Sequence, residues 1–266
     1  MTTRPRILKL LALGCAAVLS LSSCSAWDPI VPNRPIKDAA SPAPTAPPGT
    51  NHSLQTRGRG ILETSLDSLE DAYEVKVATT GSLNGVPFEY TVSGDYEEFN
   101  TQAYEMRQGP GHVSWLADSS TGSYYVKANK QHGYLINPTD NKAFLNALSE
   151  DRWLLLPDSE YPSMILVSDE IDDLTDFLEE AIDTSMLDYL GLETFEGVSA
   201  HRFNSANATL WLAADDSALP LRLQTVAYDP YMPMVSDYRD WNQENFHKLP
   251  EDHEIVILGK DPAFSA

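Results

Sequence analysis

Tyr73-Glu74-Val75-Lys76-Val77-Ala78, then Ser82-Leu83-Asn84-Gly85, then Phe88-Glu89-Tyr90-Thr91-Val92-Ser93: this stretch decides the fold. Tyr73, Val75 and Val77 alternate with Glu74, Lys76 and Ala78. Phe88, Tyr90 and Val92 alternate with Glu89, Thr91 and Ser93. A period of two places each apolar set on one face of a strand. Asn-Gly between two such runs signals a two-residue hairpin turn, because both central residues need positive φ. The stretch predicts an antiparallel hairpin with one face wetter than the other.

Working outward, further strands fit at 99–107, 112–118, 123–128 and 133–136, which extends the hairpin into a meander. Upstream, Ile61, Leu62, Leu66 and Leu69 recur at helical spacing, with Glu63, Asp67 and Glu70 between them, so a short amphipathic helix opens the domain. The middle of the chain is helical. Ala143–Leu148 reads as a short apolar helix. Glu170–Asp183 reads as a longer one, with Ile171, Leu174, Phe177, Leu178, Ala181 and Ile182 on one stripe. Ser168 is its candidate N-cap, and Asp169, Glu170, Asp172 and Asp173 suit the positive end of a helix dipole. Strands resume at Ala200–Asn204, Thr209–Ala213, Leu219–Tyr228, Val235–Trp241 and Glu254–Leu258. This order predicts an α+β fold, one antiparallel sheet with helices on a single face.

The N-terminus carries a different message. Arg4, Arg6 and Lys9 open the chain, with an apolar run from Ile7 to Leu21 that ends in Leu21-Ser22-Ser23-Cys24. A basic start, a run of about 15 residues and small residues before a cut describe a secretory signal peptide, since a spanning helix needs roughly 20. Leu-Ser-Ser-Cys matches a bacterial lipobox, in which the Cys24 thiol takes a diacylglycerol and becomes the first mature residue. The expected organisation is a signal peptide at 1–23, a lipidated Cys24 and Pro-rich tether at 24–53, a domain at 54–260 and a tail at 261–266. The tether holds Pro29, Pro32, Pro35, Pro42, Pro44, Pro47 and Pro48, seven of the chain's 18 prolines, which argues for a semi-rigid extended linker. At about 3.1 Å per residue it reaches roughly 90 Å. Apart from Cys15 inside the signal, Cys24 is the only cysteine, so the domain is expected to fold without a disulfide. Removing three basic residues with the signal leaves 15 basic against 39 acidic, a formal charge of −24. That charge opposes nucleic-acid binding and adhesion to anionic headgroups, so the lipid must hold the protein to the membrane.

Several segments resemble a known family: Gly81-Ser82-Leu83-Asn84-Gly85, Tyr124-Tyr125-Val126-Lys127, Trp153-Leu154-Leu155-Leu156-Pro157, Gly197-Val198-Ser199-Ala200-His201, Leu219-Pro220-Leu221-Arg222 and Asp240-Trp241-Asn242 ahead of Pro250. Together with lipobox, tether and opening helix, residues 54–258 resemble the actinobacterial lipoproteins of the LppX/LprG type, within the LolA-like superfamily. These segments mark turns and buried strand positions. The resemblance implies a strongly curved antiparallel sheet, a half-barrel, with helices packed on its concave side. It further implies that acyl chains are held between sheet and helices.

The residues themselves offer little catalytic chemistry. Gly197-Val198-Ser199-Ala200-His201 has His where a nucleophile elbow needs Gly, and a strand follows where a helix should. His52, His112, His132, His201, His247 and His253 show no metal-binding spacing. Asp169, Glu170, Asp172, Asp173 and Asp176 lack the Gly and closing Glu of a calcium loop. Asn207-Ala208-Thr209 matches a glycosylation sequon, which a lipobox makes irrelevant. No P-loop or dinucleotide fingerprint is present. No cofactor, metal or catalytic residue is expected. The remaining signal is apolar: Val75, Val77, Tyr90, Val92, Trp115, Val126, Trp211, Leu221 and Leu223 from strands, with Ile171, Leu174, Phe177 and Leu178 from the helix, are the candidate lining of a lipid cavity.

The expected protein is thus a monomeric lipoprotein on the extracytoplasmic side of the cell membrane. It binds a lipid or lipidated molecule and helps transport it, with the helix at 170–183 as gate. The alternative is a non-catalytic scaffold that engages an envelope protein through its acidic surface and holds no small ligand.

Overall fold

The computed structural model describes residues 50–83, 85–95, 101–118, 120–129, 131, 148, 151–156, 165–226, 233–243 and 247–257. The chain divides into two units, Met1–Thr45 and Ala46–Ala266, and every described residue belongs to the second. The expected signal peptide, Cys24, almost all of the tether, the strand at 133–136, the helix at 143–148 and the tail lie outside the described residues. Leu148 alone of that helix is described, buried in the core.

Two helices and twelve strands are described: α1 (Thr50–Asp71) and α2 (Val167–Thr184), then β1 (Glu74–Leu83), β2 (Val86–Asp95), β3 (Thr101–Gln108), β4 (Gly111–Asp118), β5 (Ser123–Ala128), β6 (Trp153–Leu156), β7 (Asp188–Phe195), β8 (Val198–Asn204), β9 (Ala208–Ala213), β10 (Pro220–Thr225), β11 (Met234–Arg239) and β12 (Ile255–Ile257). They form one open sheet in the order β12-β6-β5-β4-β3-β2-β1-β11-β10-β9-β8-β7. The sheet is two meanders, β1–β6 and β7–β11, joined where β11 pairs with β1. The α+β expectation holds in this form, a large and mostly antiparallel sheet with two helices.

The opening hairpin forms as its sequence predicts. Leu83 pairs with Val86, and Gly85 between them stands at φ 78°. The β7–β8 hairpin uses the same solution: Phe195 pairs with Val198 around Glu196 and Gly197, at φ 48° and 92°. The Glu196 carboxylate there meets both Arg222 and Arg239, at 2.9 and 3.2 Å.

Alternation sets the core. Tyr238, Val77, Val92, Tyr104, Trp115, Val126, Leu154 and Val256 stand opposite one another from β11 across to β12. All eight are buried, none more than 6% exposed. Both helices cover this face. Helix α1 packs on α2 and β7, and α2 packs on β1 and β2.

Four expectations are corrected. The opening helix is not short: it starts at Thr50, inside the stretch assigned to the tether, and runs for 22 residues. Residues 52–57 are exposed, so no apolar period marks that part of the helix. Strand β7 was not foreseen, because its edge position leaves Leu190 and Leu192 in solvent and a bulge between Tyr189 and Gly191 breaks the alternation. The sheet is not purely antiparallel, since β12 runs parallel to β6. After β11, Asn242 pins the chain to the start of β1, accepting from the Tyr73 N–H at 3.0 Å and donating its own N–H to the Glu74 carbonyl at 2.9 Å. Farther on, His247 meets Ser93 of β2 at 3.0 Å, so the chain crosses the sheet before it reaches β6. Fourth, Ser168 does not cap α2; Leu166 occupies that position.

Helix α1 seats on the sheet through Gly58. A Cβ added there would stand 2.6 Å from Tyr189 Cβ and 3.3 Å from Phe203 Cε1. Gly60 has nothing within 4 Å of such an atom. Alanine normally stabilises a helix interior relative to glycine by about 0.5–1 kcal/mol. Gly60→Ala is therefore expected to stabilise by that amount, whereas Gly58→Ala should destabilise by about 1–3 kcal/mol through overpacking. Urea unfolding of both variants checks the opposite signs; equal shifts would contradict this seating of α1.

Candidate functional site

The sheet-facing side of α2 is the site the sequence points to. Val167, Ile171, Leu174, Leu178, Ala181 and Ile182 form its buried stripe. The helix begins where Leu166 turns extended, at φ −91° and ψ 159°, and ends where Ser185 adopts a left-handed conformation. The first N–H groups of a helix lack internal partners. Here the Asp169 carboxylate accepts the Leu166 N–H at 2.9 Å. The side-chain oxygen of Gln102, on β3, accepts the buried Val167 N–H at 3.0 Å. Gln102 itself donates to the Asp95 carbonyl at 3.0 Å, which fixes its amide.

One turn on, the chemistry becomes less ordinary. Glu170 is half-buried and turns its carboxylate inward, where the Tyr90 hydroxyl donates to Oε1 at 2.6 Å. Tyr90 stacks on Phe88 at 6.1 Å and lies against Tyr104 at 5.9 Å. The Tyr104 hydroxyl donates to Met106 Sδ at 3.1 Å. Beside them Thr79 and Ser236 share a buried hydrogen bond of 2.9 Å. Burial pushes the Glu170 carboxyl up to about 7. The Tyr90 hydrogen bond works against that shift, and the charges of Asp173 and Asp169 add to it. Burial first, and the Glu170 charge second, push the Tyr90, Tyr104 and Tyr238 hydroxyls far above the ordinary tyrosine range. The cluster is a carboxyl and three phenols between α2 and strands β2, β3 and β11.

The candidate cavity residues fall into three groups. Val75, Val77, Tyr90, Val92, Trp115, Val126, Ile171, Leu174 and Leu178 are buried in one apolar cluster. Phe177 and Leu223 are partly buried against it. Trp211 and Leu221 are not brought to it. Trp211 alternates with the buried Leu210 and Leu212 and so points to the other face of the sheet. There its indole N–H donates to Glu193 at 2.6 Å, its ring stacks on Phe195 at 5.2 Å, and the Arg202 guanidinium lies over it at 5.6 Å. Leu221 sits in the bulge between Pro220 and Arg222, half-buried. Of two described cavities, a cleft of about 370 Å³ lies between the helices, lined by Leu66, Glu179, Ile182 and Asp183. A second, of about 190 Å³, is lined by Ala78, Thr80, Glu89, Thr91, Glu105 and Arg107 among others. Neither is an apolar chamber between α2 and the sheet. Among the described residues, no group of three or more His, Cys, Asp or Glu side chains is placed to hold a metal ion.

Sequence reasoning missed both Glu170 and Gln102. Glu170 was read as one acid among several at a solvated helix start. Yet it lies four residues before Leu174 and seven before Phe177, on the same stripe, so the helical period already placed it toward the sheet. Gln102 carries no comparable signal, because its partner is 65 residues away. Replacing Gln102 by Leu leaves the buried Val167 N–H without an acceptor, at a cost of about 1–3 kcal/mol. A lowered urea midpoint together with faster amide exchange at 167–170 is the expected result. Unchanged exchange there would show that Gln102 does not anchor α2.

No protein-family model matches this chain, and no curated protein matches it by sequence. Among solved structures it is similar to LprF from Mycobacterium bovis, at 10% identity over 74% of this chain and 97% of that one, with a TM-score of 0.47. It is also similar to Mycobacterium tuberculosis lipoprotein LppX, at 15% identity over 71% and 97%, with a TM-score of 0.37. A LolA superfamily protein from Nitrosomonas europaea matches at 13% identity over 72% and 94%, with a TM-score of 0.27.

Proposed function

We propose that this chain is an envelope lipoprotein, anchored through Cys24, that binds a lipid or lipidated molecule between α2 and the sheet and helps transport it. The reading assigns no catalytic role and places the domain on the extracytoplasmic side of the cell membrane. The observation that carries it is α2 itself. This amphipathic helix, tied at its N-terminal end by Gln102 and Glu170, covers part of the apolar face of an open sheet, beside α1.

An open sheet with an apolar face must be covered by something apolar. An acyl chain is chemically much like the α2 stripe. Burying sixteen methylenes at about 0.8 kcal/mol each is worth roughly 13 kcal/mol. Burying six apolar side chains at about 1.5–3 kcal/mol each is comparable. Exchanging helix for ligand is therefore close to balanced, which suits a carrier that must load and release. In the closed arrangement the lining side chains pack on one another, so loading requires α2 to move away from β1 and β2, with the concave side of a curved sheet as the ligand's bed.

That same packing favours a second reading, a scaffold with no small ligand that engages an envelope protein. Native mass spectrometry of the full chain, purified from membranes in mild detergent, separates the two. A lipid-sized adduct lost on solvent extraction is expected. Repeated absence of any adduct, with one dominant salt-sensitive protein crosslink, would replace the carrier by the scaffold. For the anchor, Cys24→Ala is expected to abolish palmitate labelling and release the chain from the membrane fraction. Retained labelling would remove Cys24 from that role.

A further inference from the structure

We propose that Glu170 is a proton-controlled latch between α2 and the sheet: the neutral carboxyl holds the helix down, and its ionisation loosens it. The inference concerns the helix alone and stands whether or not a lipid binds.

The geometry is specific. Glu170 is the α2 side chain whose carboxylate meets the Tyr90 hydroxyl, and Tyr90 lies inside the apolar cluster under the helix. The groups that act on it are Tyr90 from β2 and Asp169 and Asp173 from α2 itself, and its own charge acts in turn on Tyr104 of β3 and Tyr238 of β11. None of these is a cation. A charge at this position is thus taken out of water, meets acidic neighbours, and receives one phenolic hydrogen bond in return. One such bond offsets only part of the cost of burying a carboxylate. The helix N-terminus favours the charge, but its dipole is a small effect beside the cost of burying a carboxylate. Burial wins, which pushes the carboxyl up to about 7, above the ordinary glutamate range.

The direction follows from linkage. The packed state holds its proton up to about pH 7, while a released Glu170 gives it up near 4.3. Docking of α2 is therefore fully supported below about pH 4.3, and that support is lost progressively as pH rises through about 7. Between roughly pH 5.5 and 8.5, release of the helix should become easier by on the order of tenfold or more. Any device that lifts α2 would thus work best in neutral to alkaline surroundings and stall in acid.

Hydrogen exchange of the full chain in detergent micelles tests this, with rates corrected for intrinsic chemistry. Protection of 167–184 should fall by on the order of tenfold or more across roughly pH 5.5 to 8.5, while a segment such as β4 shows a much smaller change. Glu170→Gln keeps the shape and an acceptor for Tyr90 but cannot ionise, so its profile should be flat. Tyr90→Phe removes the bond that favours the charged form, so its loosening should move to higher pH. A flat wild-type profile, or a Glu170→Gln profile that still slopes like the wild type, would overturn the latch. Should the variants fold poorly, carbon NMR of the Glu170 carboxyl in the wild-type chain decides directly. A midpoint near 7 supports the latch, and one in the ordinary glutamate range sinks it.

Discussion

The rest of the structure depends on one row of side chains in register. Tyr238, Val77, Val92, Tyr104, Trp115, Val126, Leu154 and Val256 line up across eight neighbouring strands, all on one face. Side chains alternate faces with a period of two, so a slip of one residue at any pairing would turn a strand's apolar set into water. Each member therefore fixes the register of both neighbours. The close of the β1–β2 hairpin, where Leu83 meets Val86, sets the first pairing. Pairing of β11 with β1 then ties the second meander to the first, although the two strands begin 160 positions apart in sequence. Such non-local closure is slow to form and hard to read, yet it makes one wide apolar face that two helices can cover.

That face explains why a carboxyl is buried. Helix α2 must lay a stripe more than a hundred degrees wide on the sheet, and position 170 falls within it. A hydrophobic residue there would only add burial. The chain instead places Glu170 opposite Tyr90, and that row carries polar atoms in place of hydrocarbon: Thr79, Ser236 and the tyrosine hydroxyl. Buried polar groups persist when they are bonded, and this set is bonded across three strands and a helix. With the Gln102 bond it ties the start of α2 to β2 and β3 at two points.

Strands with clean alternation were legible in the sequence, as β1, β2 and β5 show. So was the α2 stripe from Ile171 to Ile182. Strand β7 was not, because an edge strand with exposed Leu190 and Leu192 and a bulge carries no period. The parallel β12 was illegible for another reason: pairing direction is set by where the chain travels after Asn242, and that path rests on a few contacts such as His247 with Ser93. Trp211 was assigned to the lipid-facing set on hydrophobicity alone. Its neighbours Leu210 and Leu212 already occupied that face, so parity should have sent it outward. There it serves the Glu193, Arg202 and Phe195 cluster. At Glu170 composition outweighs periodicity: in so acidic a chain it groups with Asp169, Asp172 and Asp173 as helix-start charge, although its place on the stripe already turns it toward the sheet.

The chain's charge sharpens the meaning of the α2 attachment. With 39 acidic residues against 18 basic ones, most surface contacts will respond to salt. The contacts that tie the α2 N-terminus to the sheet are of another kind. Gln102 and Tyr90 are neutral partners, and their bonds lie inside the helix–sheet interface, where mobile ions screen little. Salt should therefore leave this junction largely alone, whereas a single proton on Glu170 acts at its centre. A strongly acidic protein that attached this helix by surface ion pairs would hold it differently in every ionic environment. Attachment through a backbone N–H, an amide and a phenol–carboxyl pair makes the grip depend on proton activity instead, and confines that dependence to one residue.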